Sequence, residues 1–130
     1  HSVDNLALLQ QLDKLALQNN LQRSICLQVK ALPDPNKFGW TIEQLLEELK
    51  EIEKCQQALS IKGLMTILPL GLSSGEKIAA FTTIRELAQK ISASSTVKIN
   101  ELSMGMSGDY REAVACGATM IRLGQAIYSI

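Results

Sequence analysis

The sequence predicts an α/β protein built on parallel strands, and three observations carry that prediction. Short apolar runs recur along the chain, amphipathic segments of helical period separate them, and the two kinds alternate strictly as helix, strand, helix, strand. Apolar strands linked through helices imply parallel neighbours joined by helical crossovers.

Each element has a local reason. Asp4 or Asn5 can cap a first helix whose Leu6, Leu9, Leu12, Leu15 and Ala16 fall on one face, and Asn19 and Asn20 end it. Ile25–Val29 (ICLQV) reads as a buried strand, and HSV at the start as the last residues of another. Pro33, Pro35 and Gly39 make Lys30–Trp40 a long loop, with Trp40 packed beneath it. Thr41 starts a second helix, with Gln44 placed for a capping box and Leu45, Leu49, Ile52 and Leu59 on its apolar face. A strand over Ile61–Leu68 follows, then a Pro69–Gly75 loop. A third helix begins near Ser74, favoured at its positive end by Glu76, and turns Ile78, Phe81, Ile84, Leu87, Ala88 and Ile91 inward. Val97–Met104 supplies the next strand, Gly105–Gly108 a tight turn, and Asp109–Cys116 a short helix stopped by Gly117. Met120–Leu123 is the last strand, with a helix possible after Gly124.

Composition excludes several functions. With 13 basic and 13 acidic side chains the net charge is zero, so no strong field draws the chain to nucleic acid or an anionic membrane. The aromatic residues Phe38, Trp40, Phe81, Tyr110 and Tyr128 form no evident stacking platform for single strands. No stretch approaches the roughly 20 apolar residues needed to cross a bilayer, and no basic leader opens the chain. Cys26, Cys55 and Cys116 are odd in number and contain no CxxC pair, so they read as buried thiols in a reducing, cytoplasmic setting. With His1 the single histidine, a zinc site is not expected.

The chemistry gathers near the end of the chain. In LSMGMSGD, Leu102–Asp109, the glycines permit close backbone approach, and Ser107 with nearby amides could contact a phosphate. Equally, Ser107 could simply cap the following helix while the glycines turn the chain. In MIRLGQAI, Met120–Ile127, Arg122 sits within an apolar strand, where an unpartnered guanidinium is costly. It could face a ligand or pair with Asp109. Gly124 exposes amides before the last helix. Both turns follow the final two strands, and in a barrel such turns neighbour each other at the C-terminal face, a recurrent phosphate position. Lys30, Lys37 and Asp4 could approach the same face, although solvation for the lysines and capping for Asp4 are the simpler roles.

The segments HSVD, LQVK with PNKFGW, GLMTILPLG and LSMGMSGDYREAVACGATMIRLGQAIY resemble the pyridoxal phosphate homeostasis protein family, whose fold is similar to the N-terminal barrel of alanine racemase. LPDPNK and GLMTILPLG look most like its cyanobacterial members. The resemblance covers essentially the whole chain. It implies a parallel (β/α)₈ TIM-type barrel, present here as about strands 4–8, so that residues 1–130 form the C-terminal portion of a single cofactor-binding domain. It implies pyridoxal 5′-phosphate as cofactor, with Ser107 and the amides around Gly124 on the phosphate, Arg122 facing the pyridine nitrogen, and Gln125 beside them. Gln125 stands where the family often has threonine, and Ser129 where glycine commonly follows the aromatic residue. The family's aldehyde-anchoring lysine ends the first strand; no lysine here matches it, Lys30 and Lys37 included, so weak non-covalent binding is expected of this chain.

The function so implied is management of pyridoxal phosphate and of amino- and keto-acid balance, without catalytic turnover, by a monomeric parent. A minimal racemase or decarboxylase and a cofactor-bound regulatory interaction protein are the alternatives. Unpaired sheet edges invite association of this chain. An open flavodoxin-like sheet is the rival architecture, because five parallel strands satisfy it unaided.

Overall fold

A computed structural model describes residues 1–128; Ser129 lies outside the described residues. Five strands form one parallel sheet: β1 (Ser2–Val3), β2 (Arg23–Gln28), β3 (Leu59–Met65), β4 (Glu101–Met106) and β5 (Met120–Arg122). Between them run α1 (Leu6–Gln18), α2 (Ile42–Glu47) with α3 (Leu49–Glu53), α4 (Ser74–Ser94) and α5 (Tyr110–Ala115), and α6 (Gln125–Tyr128) follows β5. The spatial order is β1-β2-β3-β4-β5, every neighbour parallel. That order rules out the flavodoxin-like alternative, in which the first strand lies inside the sheet. Crossovers of one hand between sequential strands carry the helices to one face, as in a barrel wall.

The helix-covered face holds the core. Ile25 and Leu27 of β2, Leu64 of β3 and Met104 of β4 pack with Leu9, Leu45, Ile52, Phe81, Ile84 and Ile91 from the helices. Burial of each such side chain contributes about 1.5–3 kcal/mol. Period-two alternation turns Cys26, Gly63 and Ser103 to the opposite face. Gly63 is obligatory there: a Cβ would stand 2.5 Å from the Glu101 carbonyl oxygen and 3.0 Å from the Cys26 sulfur.

Several ends differ from the sequence expectation, each for a visible reason. Asn5, not Asp4, caps α1, its side chain accepting from the Leu8 amide at 2.8 Å. Thr41 and Gln44 form the expected box, but the helix breaks at Glu48 and stops at Glu53, so Leu59 begins β3 instead of extending a helix face. The buried Asp13 carboxylate on α1 accepts the Gln57, Ala58 and Leu59 amides, at 3.3, 2.8 and 3.0 Å, and anchors the start of β3. Ser73 caps α4 in a second box with Glu76, and Ile78 faces outward at 44% exposure rather than inward. The strand expected from Val97 starts at Glu101, because the Val97 and Ile99 amides are taken by the Ser95 and Ser92 hydroxyls at 3.1 and 2.9 Å. At its other end β4 runs through Gly105, which has φ +103°, so the turn is tighter than expected. No described helix is long and apolar enough to cross a membrane.

Candidate functional site

The C-terminal ends of β3, β4 and β5 bring together residues far apart in sequence. β4 ends at Met106, and the chain turns there because the Asp109 carboxylate accepts the Met106 amide at 2.7 Å. This turn presents Ser107. Its hydroxyl does not cap α5, as one reading of the sequence had it; Asp109 holds the N-cap position. The Ser107 Oγ instead accepts the Gly124 amide at 3.4 Å and the Ala126 amide at 3.0 Å. The two turns singled out from sequence therefore meet through one hydroxyl. Gly124 has open space where a Cβ would be, so its backbone is approachable. Gln125 opens α6 with its side chain exposed. An open cavity of about 400 Å³ lies alongside, lined by Ser107, Gly108, Asp109, Tyr110, Arg111 and Glu112.

Arg122 closes the group from β5. One guanidinium nitrogen donates to the Ser103 hydroxyl at 2.7 Å and another to the Thr66 carbonyl at 2.9 Å. Both partners are neutral, and among the described residues no carboxylate pairs with it. The expected alternative, an ion pair with Asp109, does not form, because that carboxylate is turned onto Met106. Burial lowers the guanidinium pKa from its ordinary value, with the Asp109 charge opposing. A half-buried cation bonded only to neutral oxygens keeps much of its field for a ligand.

Sequence reading missed Thr66 and Ser103. Thr66 is fully buried, and its hydroxyl has no hydrogen-bond partner among the described residues. Such a group costs about 1–3 kcal/mol unless something meets it. The signal was available: polar residues inside apolar runs, at Thr66 in GLMTI and at Ser103 in LSMGM. Of the two lysines considered for the site, Lys37 is engaged within its own loop. Lys37 pairs with Asp34 at 3.1 Å, ordering its loop about that carboxylate, which the Asn36 amide and Lys37 hold below the usual range. The Lys30 amide donates to Trp40, whose indole nitrogen donates to Glu48 at 2.7 Å. Cys26, Cys55 and Cys116 are buried free thiols, and the described residues contain no metal-ligating cluster.

Comparison with known proteins places this geometry. The pyridoxal phosphate homeostasis protein of Synechocystis sp. is 52% identical over 128 residues, covering 98% of this chain and 58% of that protein. The protein of the same name from Helicobacter pylori strain J99 is 32% identical, covering 98% and 55%. PipY of Synechococcus elongatus in its pyridoxal phosphate-bound structure superposes with a TM-score of 0.90 at 43% identity, covering 98% of this chain and 59% of PipY. The alanine racemase of Clostridium difficile matches in fold alone, with a TM-score of 0.79 at 15% identity. The chain thus spans a little over half the length of these curated relatives. A model of the family described as alanine racemase, N-terminal domain, matches residues 1–130. This corrects the expectation that the chain answers to only the C-terminal part of that domain: the match runs end to end, over a sheet with its own continuous core. The whole chain belongs to the alanine racemase N-terminal domain family, with the parallel α/β fold of that barrel type.

Proposed function

We propose that this chain binds pyridoxal 5′-phosphate and serves in pyridoxal phosphate homeostasis, not in catalysis, as a single cofactor-binding domain whose sheet is an arc of an eight-stranded (β/α) barrel. The observation that carries the reading is the convergence of the Ser107 hydroxyl with the Gly124 and Ala126 amides, beside an Arg122 guanidinium that lacks a carboxylate. A phosphate dianion needs such donors, and the unpartnered Thr66 hydroxyl adds unspent polarity next to Arg122. The names of its relatives and the cofactor-bound PipY structure support the same assignment.

When bound, pyridoxal phosphate supplies a reactive aldehyde on an aromatic ring whose nitrogen can draw electrons. The residues act around it as follows. Ser107 and the Gly124 amide bind the phosphate, with Gln125 offering an amide group nearby. Arg122 would meet the ring nitrogen; a guanidinium carries only donors, so it would keep that nitrogen unprotonated and the ring a weak electron sink. Ser103 and the Thr66 carbonyl hold Arg122 in place. The carboxylate of the turn, Asp109, is taken up by the Met106 amide at 2.7 Å, which favours carriage over proton transfer. Buried free thiols support a cytoplasmic setting.

The test is a titration of the chain with pyridoxal phosphate and with pyridoxal, read by phosphorus NMR and by absorbance. The phosphate-bearing compound binds, weakly, and Ser107→Ala reduces its affinity while leaving pyridoxal unchanged. Equal binding of the two compounds would sink the assignment. A stable adduct on Lys30 or Lys37 after borohydride reduction would overturn the non-covalent part of it.

A further inference from the structure

We infer that Lys77, on α4, is a positioning residue for the phosphate turn; the inference rests on the proposed function and deepens it. Its Nζ donates to the Gly108 carbonyl at 3.0 Å, across 31 positions of sequence. Nothing in helix energetics calls for a cation at this place. Lys77 lies at the N-terminal end of a 21-residue helix, where the macrodipole disfavours positive charge, and Ser73 and Glu76 already complete the cap. Among the described residues its ammonium has no carboxylate within ion-pair reach. Its charge is thus left to the turn.

That turn needs an external hold. Gly108 meets nothing where a Cβ would stand, so packing does not restrain it. From inside, the Asp109 carboxylate fixes the Met106 amide at 2.7 Å, and the Asp109 amide closes on the Met106 carbonyl at 3.1 Å. From outside, Lys77 fixes the carbonyl that immediately follows Ser107. Holding a carbonyl oxygen with an ammonium offsets its partial negative charge, which would otherwise oppose an incoming dianion. The same helix end bears on α5 electrostatically: the Glu112 carboxyl is held below its usual range by its own backbone amide and the Ser74 side chain, with the Lys77 charge contributing. The α4 terminus therefore sets both the shape and the local charge of the loop that presents Ser107.

The test compares wild type with Lys77→Met, which keeps the apolar stem, and with Lys77→Arg, which keeps a donor and charge. Without ligand, amide exchange at Met106 and Asp109 becomes roughly three- to ten-fold faster in K77M and stays near wild type in K77R, with the thermal midpoint unchanged. With inorganic phosphate and pyridoxal phosphate, K77M binds about three- to five-fold more weakly, K77R recovers, and affinity for pyridoxal does not move. Unaltered exchange in K77M overturns the inference. So does a general fall in melting temperature with faster exchange throughout α4, which marks a structural role only. Wild-type chain that binds no phosphate while the exchange result holds counts against the proposed function and leaves the positioning role standing.

Discussion

Replacement of Asp13 by alanine isolates the contact that anchors the start of β3. The Asp13 side chain is 6% exposed, and its two oxygens accept three successive amides, Gln57, Ala58 and Leu59. Gln57 is exposed, so its amide finds water when the carboxylate goes; Ala58 and Leu59 are 7% and 5% exposed, and theirs do not. Each buried donor left unmet costs about 1–3 kcal/mol, so two give roughly 2–6 kcal/mol. A domain of this size has about 5–15 kcal/mol in total, which makes the loss a large fraction of stability. Asp13→Asn keeps one oxygen for the two short bonds, to Ala58 and Leu59, and gives up charge assistance, so it costs about 1–2 kcal/mol. Urea denaturation followed by circular dichroism measures both. The order wild type, then Asn, then Ala, at constant slope, is expected. An Asp13→Ala unfolding free energy within about 1 kcal/mol of wild type would refute the claim that these amides depend on the carboxylate.

Two further substitutions probe the turn and the acid limb. Gly105→Ala is expected to cost about 2–4 kcal/mol and to lower the melting temperature, since φ is +103° and the new Cβ would lie 2.8 Å from the Ala113 Cβ; a melting temperature equal to wild type would refute it. The Glu76 carboxyl is held below its usual range by the Ser73 backbone amide and hydroxyl. Its folded pKa is depressed, so its contribution is present above the unfolded value and disappears as pH falls through the folded one. Glu76→Gln should therefore flatten the loss of stability on acidification below about pH 4.5, and a pH–stability profile parallel to wild type would count against the capping bond.

Much of the fold was legible because its signals are local. The Thr41–Gln44 box, the Phe81–Ile84–Leu87–Ala88–Ile91 face and the strand at Ile25 follow from period and capping chemistry, and all stand in the structure. What failed depends on partners distant in sequence. Leu59 continues a helical pattern in the sequence, and it is partners 36 and 46 positions earlier, Arg23 across the sheet and the Asp13 carboxylate, that hold it as a strand residue. Val97 has strand propensity, but the serines at the end of α4 take the backbone donors a sheet would need.

The site divides along the same line. Arg122 and Gly124 declare themselves by being out of place, a cation in an apolar strand and a bare backbone after it. Ser107 did not, because its position before α5 is equally good for a cap, and local rules cannot choose. The choice is made 17 to 19 residues on, at the turn into α6, where the Gly124 and Ala126 amides donate to the hydroxyl. Thr66 and Ser103 were hidden for a related reason: each is a single polar residue in an apolar run, and its meaning comes from Arg122 on another strand. A corner assembled this way has no contiguous motif, since each strand contributes one group and parallel pairing aligns their ends. What a sequence offers in such a case is a set of local misfits, and the fold decides which of them belong together.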